Sequence, residues 1–262
     1  MIEKANRFAN QFRRYKTLMS ELVLRDLKIK YRRSFLGYVW SLLNPLLMMT
    51  VMSIVFSYMF RFDIPNYPLY LICGQTLWSF FNESTSMAMH SILQNGSLIR
   101  KIYIPKYVFP VSRVFSSFVT MSFSLIAILI VMLVTRVPFS LTLLLTPVPL
   151  LFLLIFSMGV GMVLSALSVY FRDVVHLYGV LTMAWMYATP IFYPESALPE
   201  GFSEFLRFNP MHQFISFFRE LVLNGAVPAG EVWFSCIASS LVAFAAGTWV
   251  FHKLQRNFIL HV

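Results

Sequence analysis

Acidic residues are scarce in this chain: eleven Asp and Glu stand against 21 Lys and Arg in 262 residues. Charged residues of both signs make up only 12% of it, and 58% are hydrophobic. A soluble domain carries roughly twice that charge, so a soluble globular protein is excluded. Cysteine is nearly absent too. Cys73 and Cys236 both fall in apolar runs and lack paired ligand spacing, which argues against a zinc site or a disulfide framework and leaves two inert core thiols. No G-x-x-x-x-G-K-[ST] loop occurs, so the chain does not bind ATP in that manner. Only one acid, Glu83, lies inside an apolar run. The paired intramembrane carboxylates of ion-coupled carriers are therefore missing, which weighs against a stand-alone channel or carrier. An integral-membrane enzyme would need a polar catalytic cluster. The five histidines (His90, His176, His212, His252 and His261) are scattered near the ends of the runs and form none. No cofactor, metal or catalytic residue is expected in this chain.

What is abundant is long apolar sequence. A hydrocarbon core is crossed by about 20 apolar residues of helix. Six runs meet that requirement, at residues 35–60, 67–93, 108–134, 141–171, 174–192 and 232–251. The fold class is all-α integral membrane, with six transmembrane helices in a domain over 35–262. Ten Lys/Arg crowd the first 36 residues, and Lys253 and Arg256 follow the last run. Placing both termini in the cytoplasm puts 17 basic residues inside and four outside (Arg61, Arg136, Arg207 and Arg219), as the positive-inside rule requires. The net charge of +10 sits beside the first span, where anionic headgroups attract it, so membrane lipid rather than nucleic acid is its partner. The first run begins too late for a cleaved signal peptide.

Three connecting regions carry patterns of their own. Residues 1–34 repeat Phe8, Phe12, Tyr15, Met19 and Leu22 at helical spacing among basic residues, the signature of an amphipathic helix lying in the membrane interface. Between spans two and three, Gly96 is expected to break the incoming helix and Asn95 or Ser97 to cap a new short one. Pro105 stops it. This loop, Ser97, Leu98, Ile99, Arg100, Lys101, Ile102 and Tyr103, is basic and amphipathic, suited to docking a soluble partner. The external segment 193–231 is too apolar for a solvated loop, with Phe202, Phe205, Phe208, Phe214, Phe217 and Phe218. Asn209 and Pro210 divide it into two short helices. They dip into the outer leaflet without crossing, and non-spanning backbone at that depth must be buried in protein or line a cavity.

Within the spans, Glu83 beside Asn82 and Ser84 marks either a wet pathway or a structural hydrogen bond. Tyr70, Trp78 and Phe81 share one helical face, and Tyr178, Trp185 and Phe192 recur at intervals of seven. Such rings either line a sugar path or pack helices and anchor in lipid. Ser157, Gly161 and Ser165, like Ser239, Ala243 and Gly247, form small-residue faces that let helices approach. Pro45 kinks the first span and leaves a carbonyl for a polar neighbour.

The run from Arg25 to Pro45, RDLKIKYRRSFLGYVWSLLNP, resembles the approach to span one in the membrane subunits of ABC exporters for O-antigen, capsular polysaccharide and teichoic acid. Trp78-Ser79-Phe80-Phe81, Leu98-Ile99-Arg100-Lys101, Tyr170-Phe171-Arg172-Asp173, Pro190-Ile191-Phe192-Tyr193 and Asn209-Pro210 match in order and spacing. The resemblance implies a homodimeric permease of the cytoplasmic membrane bound to two copies of a separate ATPase, which holds ATP and Mg. It implies that the N-terminal helix and the 97–103 loop contact that ATPase, and that the external segment forms two re-entrant helices at a channel exit. It adds Tyr38 and Trp40 to the candidate channel residues, and a glycan on a polyprenyl-pyrophosphate carrier as substrate. An exporter of small amphipathic compounds is the alternative.

Overall fold

The computed structural model of the chain describes residues 2–32, 34, 36–59, 64–101, 104–199 and 201–258. Every regular element among them is helical. An N-terminal helix, α1 (Ile2–Tyr31), leads through a tight turn into α2 (Trp40–Met59). Gly37 turns the chain there with φ of 49°, a left-handed conformation that a side chain would strain. Next come α3 (Tyr67–Gln94), α4 (Gly96–Lys101), α5 (Val108–Thr135), α6 (Pro147–Tyr170) and α7 (Val174–Ala188). Two short helices, α8 (Phe202–Phe208) and α9 (Pro210–Arg219), precede the last, α10 (Gly230–Leu254).

Among the described residues, four stretches are long and apolar enough to cross a membrane: Gly37–Phe56, Val108–Thr135, Leu141–Tyr170 and Gly230–Asn257. The other two expected spans differ in character. With 28 residues α3 has the length, yet it carries Gln75, Asn82 and Glu83. It is also deeply enclosed, with Leu69, Leu71, Ile72, Leu77 and Phe81 fully buried. A helix walled in by others draws its apolar contacts from protein rather than lipid and tolerates polar groups facing an interior. The expected run 174–192 is shortened to the 15 residues of α7, about 23 Å of helix against a hydrocarbon core of about 30 Å. Pro190 ends it by forcing the preceding Thr189 out of the helical region, to φ −104° and ψ 130°.

The bundle is built in the order α10, α6, α3, α5, each packed on the next, with α2 along the edge of α3 and α5. The tightest crossing is between α6 and α10. A side chain on Gly247 would fall on the Gly159 carbonyl, and one on Gly159 on the Ala243 carbonyl. The α10 small face is thus used as expected, but its α6 partner is Gly159. The Ser157, Gly161 and Ser165 face turns instead to α3, where Gly161 lies against Ala88. The segment after α7 does hold two helices. Of these, α9 packs among α3, α6 and α10 with Phe214 and Phe217 fully buried. By contrast, Phe205 and Phe208 of α8 are exposed.

Candidate transport cleft and coupling node

A cleft of about 450 Å³ opens between α2, α3 and α5. Trp40 and Asn44 line it from α2, Gln75, Thr76, Ser79 and Glu83 from α3, and Ser117, Thr120 and Ser124 from α5. These polar groups lie on helices that elsewhere are apolar, so together they offer a hydrogen-bonding wall inside the bundle. Glu83 lines this cleft. Its carboxylate is met by the Lys30 ammonium, 2.5 Å away at the end of α1. Both side chains keep over a third of their surface exposed, so the pair adds little stability. Lys30 belongs to the basic tail by sequence. Its signal was its place one turn before the first span, within reach of an otherwise lone acid.

The aromatic candidates divide. Trp78, Phe81 and Trp185 form one cluster, with ring centroids 5.3 to 5.8 Å apart and Trp185 edge-on to both others. Phe81 exposes no surface, and Phe156 continues the cluster toward Phe214 of α9. The Trp185 indole N–H donates to Asn209 Oδ1 at 2.9 Å. In this conformation these rings bind α7 and the Asn209 turn to α3. Trp78 and Tyr178 also border a second recess of about 380 Å³ between α3 and α7, with Asn82, Ser86 and His90. The Tyr178 hydroxyl pairs with Thr85 Oγ1 at 2.5 Å. Phe192 is buried, and its ring stacks on Phe56 at 5.7 Å. Tyr38 and Trp40 remain nearly half exposed, and Tyr38 lies 5.9 Å from Phe123.

The N-terminal end of α3 is held by a residue that by sequence is only one of four cations assigned outside. Arg219, at the end of α9, is 8% exposed. Its guanidinium donates to the carbonyls of Tyr70, Pro190 and Ile191 at 2.8 to 3.1 Å and lies 3.4 Å over the Tyr70 ring. Gly74 makes room for it, since a Cβ there would stand 2.6 Å from Nη2. The signal was an arginine on the apolar face of a Phe-rich helix. Tyr70, a channel candidate, is thereby committed to this knot, and its hydroxyl donates to the Pro190 and Tyr193 carbonyls. Nearby, His212 Nε2 and Glu195 Oε1 lie 2.8 Å apart, and that hydrogen bond holds the Glu195 carboxyl below its ordinary range. Asn209 caps α9 as the Asn-Pro pair implies, accepting from the N–H groups of Met211 and His212, and it also donates to Thr189 Oγ1 at 3.0 Å.

At the opposite end, the short basic loop forms a helix, α4, but not by the expected break. Gly96 keeps an ordinary backbone, and the chain turns at Asn95 (φ −106°, ψ 18°). The Asn95 carbonyl accepts from Leu98 and Ile99, while its side chain points back to the Ser91 carbonyl. Ile99 is buried in a cluster with Met19 and Leu22 of α1 and Phe109 of α5. The α1 stripe packs on protein from Tyr15 onward, and the side chains of Phe8 and Phe12 lie outside the described residues. Ser97, Arg100 and Lys101 are exposed, Leu98 is half-buried, and Ile102 and Tyr103 lie outside the described residues. Asp26 of α1, almost wholly buried, meets Arg113 of α5 at 3.0 Å and Arg25 at 3.2 Å. Arg25 reaches Asn95 Oδ1, and Arg113 reaches Gln94 Oε1 at 3.0 Å. One polar node thus joins α1, the start of α4 and α5.

The sequence that builds this polar cleft and the anchored basic helix matches a known family along most of the chain. The family model described as ABC-2 type transporter matches residues 17–223. The chain belongs to the ABC-2 type transporter family. The match takes in the second half of α1, α4, the cleft and α9, and leaves α10 outside. The O-antigen export system permease protein RfbA of Klebsiella pneumoniae is 30% identical over 243 residues, 92% of this chain and 93% of that protein. RfbA of Myxococcus xanthus is 30% identical over 254 residues, 96% of this chain and 98% of that one. The polysialic acid transport protein KpsM of Escherichia coli is 23% identical, covering 82% of this chain and 84% of its own.

Proposed function

We propose that this chain is the permease subunit of an ATP-driven exporter that moves a lipid-linked polysaccharide of the O-antigen or capsule type across the cytoplasmic membrane. The observation that carries the reading is a hydroxyl- and amide-lined cleft sunk between membrane-length helices, in a chain related over almost its whole length to O-antigen export permeases. Sugar hydroxyls exchange hydrogen bonds with such a wall at little net cost. Six crossings with both termini cytoplasmic are the arrangement that the 17-to-4 division of basic residues supports, with α3 crossing largely enclosed by other helices and α7 turning Leu177, Val180 and Leu181 outward. The enclosure of α9 supports its re-entry into the outer leaflet beside α8 at the exit. Two such chains form the working unit with two copies of a separate ATPase, which holds the nucleotide and Mg²⁺. Exposed Arg100 and Lys101, backed by the Asp26 node, are the docking points for that ATPase.

Two measurements test this reading. The chain should restore surface polysaccharide to a strain lacking its O-antigen permease, when supplied with its own ATPase. Replacing Arg100 and Lys101 together with Glu should leave membrane insertion intact and weaken co-purification of the ATPase by about tenfold, as attraction to an acidic groove turns into repulsion. Normal ATPase retention by the double variant would remove α4 charge from the docking account.

A further inference from the structure

A furrow on the flank of the bundle is left unexplained by the transport reading. Both α5 and α10 pack on α6, and between them lies a groove of about 360 Å³. Its floor is Val111, Met162 and Phe251, all buried, and its sides are Phe115, Met158 and Phe244. The walls are apolar apart from Thr248, whose hydroxyl donates back to the Phe244 carbonyl, until the end nearest the C-terminus, where Tyr107, His252 and Gln255 close it.

That end lies at the level of a membrane surface by two independent marks. Trp249 is 66% exposed, and the Lys253 ammonium stands 5.2 Å over its ring. An exposed tryptophan with a snorkelling lysine beside it is the usual anchor at headgroup depth. Basic groups gather at the same level. His252, Lys253 and Arg256 are exposed at the end of α10, and Lys106 binds the Gln255 carbonyl at 2.6 Å. No acid lies in the chain between Glu231 and Val262 to balance them.

We propose that this furrow binds one anionic phospholipid, its acyl chain along the groove floor and its phosphate among Lys106, His252 and Arg256. A basic rim at the mouth of an apolar groove between membrane helices is the complement of an anionic lipid, and a zwitterionic lipid gains only the groove. Assignment to the cytoplasmic leaflet rests on the orientation proposed above. The binding itself does not.

The test is native mass spectrometry of the purified full-length protein, titrated with phosphatidylglycerol or phosphatidylcholine of the same acyl composition. Wild type should retain phosphatidylglycerol about tenfold better, the scale set by two or three cations around one phosphate. The double variant His252→Glu/Arg256→Glu, at exposed positions that leave the core untouched, should bring the two lipids to parity. Met158→Trp, which narrows the furrow from its side, should lower retention of both lipids. Equal retention of both lipids by wild type, or a preference unchanged in the double variant, overturns the proposal. Retention unchanged in Met158→Trp overturns the furrow as the seat. A cysteine label at the C-terminus that reports the outside would overturn the leaflet and the topology together, while the lipid measurement stands, so the two failures are separable.

Discussion

The Ser124 hydroxyl of α5 donates to the Ser41 carbonyl of α2 at 3.0 Å, and Ser41 is the residue four before Pro45. Proline has no N–H to close that helical bond, so a neighbouring helix supplies the donor. The same pair stitches α2, the least buried of the membrane-length helices, to the bundle along one wall of the polar cleft.

Ser124→Ala should therefore destabilise the protein by roughly 1–2 kcal/mol, the range for a buried acceptor that loses its donor. In a Pro45→Ala background the helix supplies its own N–H, and the same change should cost less than about 0.5 kcal/mol. Unfolding of the four proteins in one detergent measures the coupling. Equal penalties in both backgrounds would show that Ser124 serves some other purpose.

Arg219 supports the N-terminal end of α3 and the 190–191 backbone at once. Arg219→Met should cost roughly 3 kcal/mol or more, since the carbonyls of Tyr70, Pro190 and Ile191 lose their donor together. Arg219→Lys should recover little, because a point ammonium cannot fork to several carbonyls while stacking on Tyr70. Gly74→Ala should weaken the same knot by displacing Nη2. Thermal unfolding checks all three, and a Gly74→Ala protein as stable as wild type would mean the guanidinium shifts freely.

Trp78 and Trp185 share a cluster but not a hydrogen bond. Phe in place of Trp78 should be mild, whereas Phe in place of Trp185 also removes the 2.9 Å bond to Asn209 and loosens the turn that starts α9. Alanine at either position should cost about 3–5 kcal/mol if packing is the whole role. Export per folded transporter separates the roles. A fall in that ratio for the Ala variants supports a glycan-facing surface, and an unchanged ratio confines both rings to packing.

The Glu195–His212 contact should make the segment between α7 and α10 acid-sensitive. The Glu195 carboxyl is held below its ordinary value, first by the His212 hydrogen bond. A depressed carboxyl lends stability that is full above its unfolded pKa and is lost as pH falls through the lower folded value. The melting temperature of wild type should thus drop below about pH 4.5 more steeply than that of Glu195→Gln. Parallel curves would show that the contact carries no linkage.

Helix placement was legible because it depends on apolar run length and on local stops. The starts of α3 and α5, Asn209 as the α9 cap and the presence of a short helix after Asn95 follow from neighbours in sequence. The end of α7 was legible in principle, since Pro190 dictates it locally. Pairing was not legible. The small residues Ser157, Gly161 and Ser165 mark a close approach, but only the bundle decides that their partner is α3 while Gly159 meets α10. Glu83 was conspicuous through its cost in a span, yet its partner Lys30 lies 53 residues away.

The sequence by itself determined that this chain inhabits a membrane and where most of its helices lie. These depend on transfer from water to lipid and on backbone hydrogen bonds closed within each segment, both readable locally. The tertiary structure decided which polar groups meet: Arg219 with the carbonyls around Pro190, Asp26 with Arg113, and Ser124 with Ser41. In a low-dielectric interior each such group needs a partner within about 3 Å, and only the packing of distant helices brings one there.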